Sequence, residues 1–321
     1  MSGQSLTISS HQQMTVDYMV ATWLHAKEGL SHSVRTAAIY QEHISKYRDM
    51  LASIHLDLDS PNESLLATVL QAYCSYSPTG KQLSATTYMH RRHCLSSFFK
   101  FCMKMRWLTS NPTELLEDRK VHHNDAALPL DRETVAAALK KIDRSTLLGK
   151  RDYALLSLLF STGRRVSEMQ ALVCGDILLS GASMTIIWQH CKGGKRMIDE
   201  IDPHVATVLM DYLRAAYKGE WREDAPVWVS FSQFHSALSV KPAITNASIA
   251  RVLFKHLGVS KFHAGRHSFA VFMEDAGASL SEIGARLGHS SLSTTSEYMK
   301  RLRSSQNPYA ARLAEMLEIG G

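Results

Sequence analysis

Cysteine is scarce and unpatterned in this 321-residue chain. Cys74, Cys94, Cys102, Cys174 and Cys191 are odd in number and form no Cys-x-x-Cys, so neither a disulfide framework nor a zinc site is indicated. A reduced, cytoplasmic setting is the expectation. Long apolar runs are also missing: no stretch approaches the roughly 18 residues that a membrane span needs. Residues 1–14 are polar and lack a basic start followed by an apolar segment, so no signal peptide is read there. Neither a Gly-x-x-x-x-Gly-Lys-Ser/Thr loop nor a carboxylate cluster occurs, which argues against nucleotide-driven and two-metal chemistry. No cofactor, no metal and no membrane partner is expected.

What the chain does have is 45% hydrophobic residues and a net charge of +6, with a pI near 9.0. The length suits two domains. Before residue 127 there are 12 Lys and Arg against 11 Asp and Glu, and after it 24 against 19, so the two parts carry +1 and +5. A basic surplus fits a polyanionic partner without demanding one, and here it falls with a set of polar boxes.

Those boxes are Thr162-Gly163-Arg164-Arg165-Val166-Ser167-Glu168, then Lys192, then His263-Ala264-Gly265-Arg266-His267, then Leu287-Gly288-His289, then Tyr298. Two arginines, a lysine, histidines and a tyrosine can together hold, protonate and attack a phosphodiester, which points to DNA strand cleavage. Singly, each box is weak. With 16 His and 20 Arg, a His-x-x-Arg arises about once by chance, and His32-Ser33-Val34-Arg35 is such a decoy. Order and spacing separate His263-Arg266 from it.

Arginine suits the clamp, because its planar fork donates paired hydrogen bonds and keeps its proton at working pH. Its bland alternative at Arg165 is a buried ion pair with Glu168. Glu168 lies one helical turn on, placed to orient a guanidinium. A tyrosine hydroxyl has a pKa near 10 and needs help to lose its proton; His263 and His289 are imidazoles within the boxes, while His267 reads as structural.

In this order the boxes resemble those of the tyrosine recombinases of the phage-integrase and Xer type, over roughly residues 128–305 and more loosely before that. The resemblance makes Arg165 the first catalytic arginine, with Arg164 at a site usually apolar. It implies Arg165 and Arg266 as the phosphate clamp, His263 and His289 as phosphate-bonding and proton-transfer groups, Tyr298 as nucleophile, and Lys192 as general acid, with Lys195 the rival. Gly265 replaces a residue that is commonly Leu, and inside a helix glycine costs up to about 1 kcal/mol, so weaker local packing is expected there.

The implied fold is mainly α with a small β-sheet: a helical core-binding (SAM-like) domain over 1–118, a linker over 119–127, and a catalytic domain over 128–321 closing on the duplex as a clamp. The residues agree in outline. Ala85 to Met105 has helical apolar spacing; its Arg91 and Arg92 are either a solvated basic face or DNA contacts. Asn111-Pro112 marks a stop, and the polar stretch from Glu117 to Ala127 is the linker candidate. Asp131 is a plausible N-cap. Residues 153–160 read as an apolar helix broken at Gly163. Residues 184–188 and 196–201 read as strands joined by a glycine turn that bears Lys192 at its tip. Ser279 to Glu282 reads as a capping box, Gly277 and Gly288 as C-caps, and Tyr298 as lying on a short segment after Thr295. Residues 308–319 form an apolar-sided tail helix that docks on its own domain or, as the resemblance implies, on a neighbouring protomer.

The implied activity is site-specific recombination of double-stranded DNA at specific core sites by a homotetramer, through a 3′-phosphotyrosyl link and a Holliday junction. Such a protein would be nucleoid-associated, and accessory or directionality proteins are possible partners. The alternatives are a DNA-binding architectural protein that does not cut, or a single-duplex enzyme of topoisomerase or telomere-resolvase type. The sequence carries neither the target site nor the choice among integration, dimer resolution and transposition.

Overall fold

A computed structural model describes residues 15–31, 34–120, 128–181, 183–191, 194–231, 242–303, 312 and 315–316. Lys192 and most of the predicted tail at 308–319 lie outside them, as does most of the predicted linker. The chain divides into two compact units, residues 1–125 and 126–321. No helix among the described residues is long and apolar enough to cross a membrane.

The first unit holds α1 (Val16–Ser31), α2 (Val34–Ala52), α3 (Glu63–Ser75) and α4 (Ala85–Lys104). Their apolar faces meet around Trp23, Tyr47, Leu70, Phe98 and Phe99, all fully buried. Helix α4 spans the predicted range, with Ser84 capping its start by accepting from the Thr87 amide. Asn111-Pro112 does not end the unit. A short 3-10 turn follows at Pro112–Leu115, and the chain stays docked beyond it. Tyr88 Oη lies 3.1 Å from the Glu117 carbonyl, Arg119 stands 4.0 Å over the Tyr88 ring, and Arg119 also donates to Ser75 Oγ at 2.8 Å. The first residues of the polar stretch are therefore held to this unit by their own side chains.

The second unit contains α5 (Arg132–Lys140), α6 (Leu147–Thr162), α7 (Val166–Ala171), strands β1 (Ile177–Ser180), β2 (Ser183–Trp188) and β3 (Met197–Ile201), then α8 (Pro203–Tyr217), α9 (Asn246–Leu257), α10 (His263–Asp275), α11 (Leu280–Leu287) and α12 (Leu292–Leu302). The antiparallel sheet runs in the order β1-β2-β3. In register, Ile186 sits between Ile177 and Asp199. The main core gathers α6, α8, α9 and the sheet around Leu155, Leu159, Met169, Trp188, Tyr212 and Trp228. Buried Asp152 ties α6 to α9 by accepting from Lys255 at 3.2 Å and bonding the His256 ring at 3.0 Å. A smaller cluster of Phe269, Val271, Ile283, Leu287, Met299 and Leu302 seats α11 and α12 on α10.

Gly265 has a role opposite to the one expected from its helix propensity. A Cβ there would lie 2.5 Å from Cδ2 and 3.0 Å from Cγ of Leu159, which is itself fully buried. Glycine lets α10 press onto α6. Gly265→Leu, the common residue by family resemblance, is expected to overpack this crossing by about 1–3 kcal/mol and to lower the melting temperature by several degrees. A calorimetric melt showing no loss would mean that Leu159 swings aside at no cost.

Candidate active site

The first box is shaped by a helix end. Helix α6 stops because Gly163 adopts φ 60°, ψ 24° and its amide bonds the Leu159 carbonyl, a left-handed cap that glycine takes without strain. A Cβ at this position would also strike the Phe269 ring at 2.2 Å. Arg165 then has extended backbone, φ −71°, ψ 154°, and starts α7. Glu168 accepts from the Arg165 amide at 2.9 Å and from Arg165 Nη1 at 2.8 Å. Arg165 is thus paired with a buried carboxylate, and its side chain is 23% exposed. The donors from Arg165 outweigh the cost of burial and keep the Glu168 carboxyl below its ordinary pKa.

Arg266, on the first turns of α10, is only 4% exposed. Its Nη1 donates to the Gly163 carbonyl at 2.8 Å and its Nη2 to the Leu287 carbonyl at 2.5 Å. One guanidinium thus fastens the end of α6 to the end of α11. Burial first, and then the charge of Arg165, push its pKa down to about 10, still well above neutrality.

Helix α11 begins with the predicted box, Ser279 accepting from the Glu282 amide and Glu282 from the Ser279 amide, and ends at Gly288 with φ 68°. On α10, Gly277 at φ 91° follows the capping residue Ala276. The short segment expected around Tyr298 is instead α12, an eleven-residue helix. It lies close to α11, since a Cβ on Gly284 would meet Thr295 Oγ1 at 2.6 Å. The same Oγ1 bonds His289 Nδ1 at 3.0 Å.

Tyr298 is half-buried, with its ring set edge-on to two imidazoles: 5.3 Å from His267 and 5.4 Å from His289, centroid to centroid. His263 in turn lies 6.2 Å from His267. His267 is buried and packs between these groups. His263 keeps a solvent-facing edge, yet crowding of the rest of its ring, then the charges of Arg266 and Arg165, lower its pKa below the ordinary histidine value. The same causes in the same order lower that of His289. Arg165, Arg266, His263, His289 and Tyr298 therefore share one site on one chain.

Residues 129–304 match the model of the phage integrase family. The chain belongs to the phage integrase family. It is a tyrosine-type site-specific recombinase, an enzyme that breaks and rejoins DNA. Tyrosine recombinase XerC of Pelobacter propionicus is 27% identical over 297 residues, covering 89% of this chain and 91% of the relative. XerC of Myxococcus xanthus is 34% identical over 216 residues, 64% of this chain and 68% of the relative. A lambda integrase dimer bound to a COC′ core site shares the fold with TM-score 0.64 at 18% identity, covering 92% of this chain and 98% of that one.

Within the recombinase, Lys195 is exposed next to the described end of the β2–β3 turn, where its carbonyl accepts from the Cys191 amide at 3.2 Å. Arg91 and Arg92 sit in the first unit, and their donors have intramolecular work. Arg91 Nη1 reaches the Tyr73 and Tyr76 carbonyls at 2.5 and 3.2 Å. Arg92 reaches the carbonyls of Thr113 and Leu116 at 3.2 and 2.9 Å and pairs with Asp118. Arg91 thus pins the end of α3, and Arg92 the segment after α4. Sequence reasoning passed over Asp199, Trp188 and Arg286, which join Arg164 in a polar network behind Arg165 that is buried except at Arg286.

Proposed function

We propose that this recombinase cuts a DNA strand by attack of Tyr298 Oη on phosphorus, held by Arg165 and Arg266. The P–O5′ bond breaks as the P–Oη bond forms, giving a 3′-phosphotyrosyl link and a free 5′ hydroxyl. The phenolic proton passes to an imidazole, His263 or His289, and the leaving O5′ takes one from Lys192, with Lys195 the alternative donor. Glu168 orients Arg165, and His267 supports the ring of Tyr298. The observation that carries this reading is a phenol seated between imidazoles beside two arginines on a single chain. One phosphoester replaces another, so the link stores the energy to rejoin.

Exchange between two duplexes breaks four strands, and one tyrosine per chain serves one strand. Four protomers are therefore needed, and cutting the strands in pairs passes through a Holliday junction. The first unit serves as the core-binding domain and the second as the catalytic domain, with the tail exchanged between protomers. The test is a nicked suicide duplex carrying candidate core sites, together with a second labelled duplex. Covalent protein–DNA adduct and joined products between duplexes are expected. Binding without adduct would indicate an architectural protein, and adduct without joining a single-duplex enzyme.

The lowered pKa values of His263 and His289 fix a pH dependence. Proton acceptance needs neutral imidazole, and in the free enzyme that form persists below the ordinary value of about 6.5. Because kcat/KM reports ionisations of the free enzyme, cleavage at low DNA concentration is expected to stay level from pH 8 through 6.5. It should fall only in more acid buffer, as both rings gain protons. A rate that rises on acidification would make these rings acids in the first step and overturn the assignment.

A further inference from the structure

Arg164 precedes Arg165, yet its side chain takes the opposite course, into the core, where it is 1% exposed. Its guanidinium grips Asp199 on β3 in a fork, Nε to Oδ2 at 2.8 Å and Nη2 to Oδ1 at 2.7 Å. Trp188 on β2 donates Nε1 to the same carboxylate at 2.8 Å, and Arg286 on α11 donates Nη1 at 3.2 Å. The Arg164 guanidinium also stands 5.3 Å over the Trp188 ring, with Nη1 2.9 Å from Met197 Sδ. Strand β2, helix α11 and the Gly163–Arg165 loop therefore converge on one carboxylate of β3.

Stability alone gives little reason for this network, since a buried ion pair is often no better than apolar residues of similar volume. What a bidentate fork supplies is direction, because it is satisfied at one geometry only. Neighbouring residues of extended backbone face opposite sides, so fixing Arg164 inward fixes Arg165 outward. Arg286 directly precedes Leu287, whose carbonyl receives Arg266, and stands three residues before His289.

We propose that Arg164 and Asp199 are positioning residues, whose buried fork sets the register of Arg165 and, through Arg286, of the α11 end bearing His289, against Arg266. This rests on the reading of Arg165 as a phosphate clamp.

The test is a double-mutant cycle on single-turnover cleavage of the nicked suicide duplex at saturating DNA, with Kd measured separately. Arg164→Lys keeps the cation and removes the fork. It is expected to slow cleavage at least about tenfold, as small misplacements of a clamp do, while Kd moves less than about threefold. In an Arg165→Lys background, where the clamp is already damaged, the further loss should be under about threefold, because the two changes act through one group. Asp199→Asn, close in shape, should repeat the pattern. Equal losses in both backgrounds, a loss confined to Kd, or failure of both variants to fold would overturn the positioning role. If the unaltered enzyme forms no adduct, the clamp reading itself falls and takes this role with it, and that lane tells the two failures apart.

Discussion

Tyr298→Phe is expected to bind the same duplex as the unaltered enzyme and to form no covalent adduct with it. The substitution removes one oxygen and keeps the ring, so the edge-on contacts with His267 and His289 at 5.3 and 5.4 Å survive. The ring also keeps its packing against the small cluster in which Met299 and Leu302 are buried. Folding and Kd should therefore change little. Cleavage has no substitute nucleophile, and loss of a nucleophile that acts as one unit with its neighbours typically removes on the order of 10⁴-fold or more of the rate. On a denaturing gel the adduct band should vanish while a mobility shift on a native gel persists. A surviving adduct would move the nucleophile elsewhere, and loss of both bands would show that the phenol is needed to hold α12.

Much of this site was legible in the chain because its chemistry is local. The turn at Gly163, the pairing of Arg165 with Glu168 and the capping box at Ser279 each act within four residues, so spacing alone exposes them. Strand β1 escaped because four residues without alternation carry no period. The extent of α12 escaped because Ser293, Thr294 and Thr295 look like a loop; in the fold, Thr295 is buried against Gly284 and bonds His289. Gly265 was misjudged for a related reason. Propensity counts the cost of glycine inside its own helix, whereas the deciding contact is with Leu159 on another helix, about a hundred residues earlier. The Arg164–Asp199 network did leave a trace: Asp199 occupies an inward strand position between Met197 and Ile201, and Arg164 a site usually apolar. Two polar residues at core positions invite pairing, but only coordinates bring them together.

Replacing Arg266 should cost both rate and stability, in contrast to Tyr298. Two of its five N–H donors are committed to the carbonyls of Gly163 and Leu287, and the proposed mechanism assigns others to the phosphate. Arg266→Ala strands two buried carbonyl oxygens at about 1–3 kcal/mol each, so the melting temperature should fall by several degrees or more. On the proposed mechanism it also removes a preorganised donor to the developing phosphoryl charge, a loss of roughly 10²–10³ in rate. Arg266→Lys separates the two effects. An ammonium keeps the charge but cannot span both carbonyls and a phosphate as a planar fork does, so part of the stability should return and little of the cleavage. The pKa of about 10 explains the direction of the remaining effect. Burial and the charge of Arg165 disfavour the cation, and an opposite charge within hydrogen-bond reach would offset that cost. If Arg266→Lys cleaved and melted like the unaltered enzyme, the bridge from α6 to α11 would be dispensable and one point charge would suffice at phosphorus.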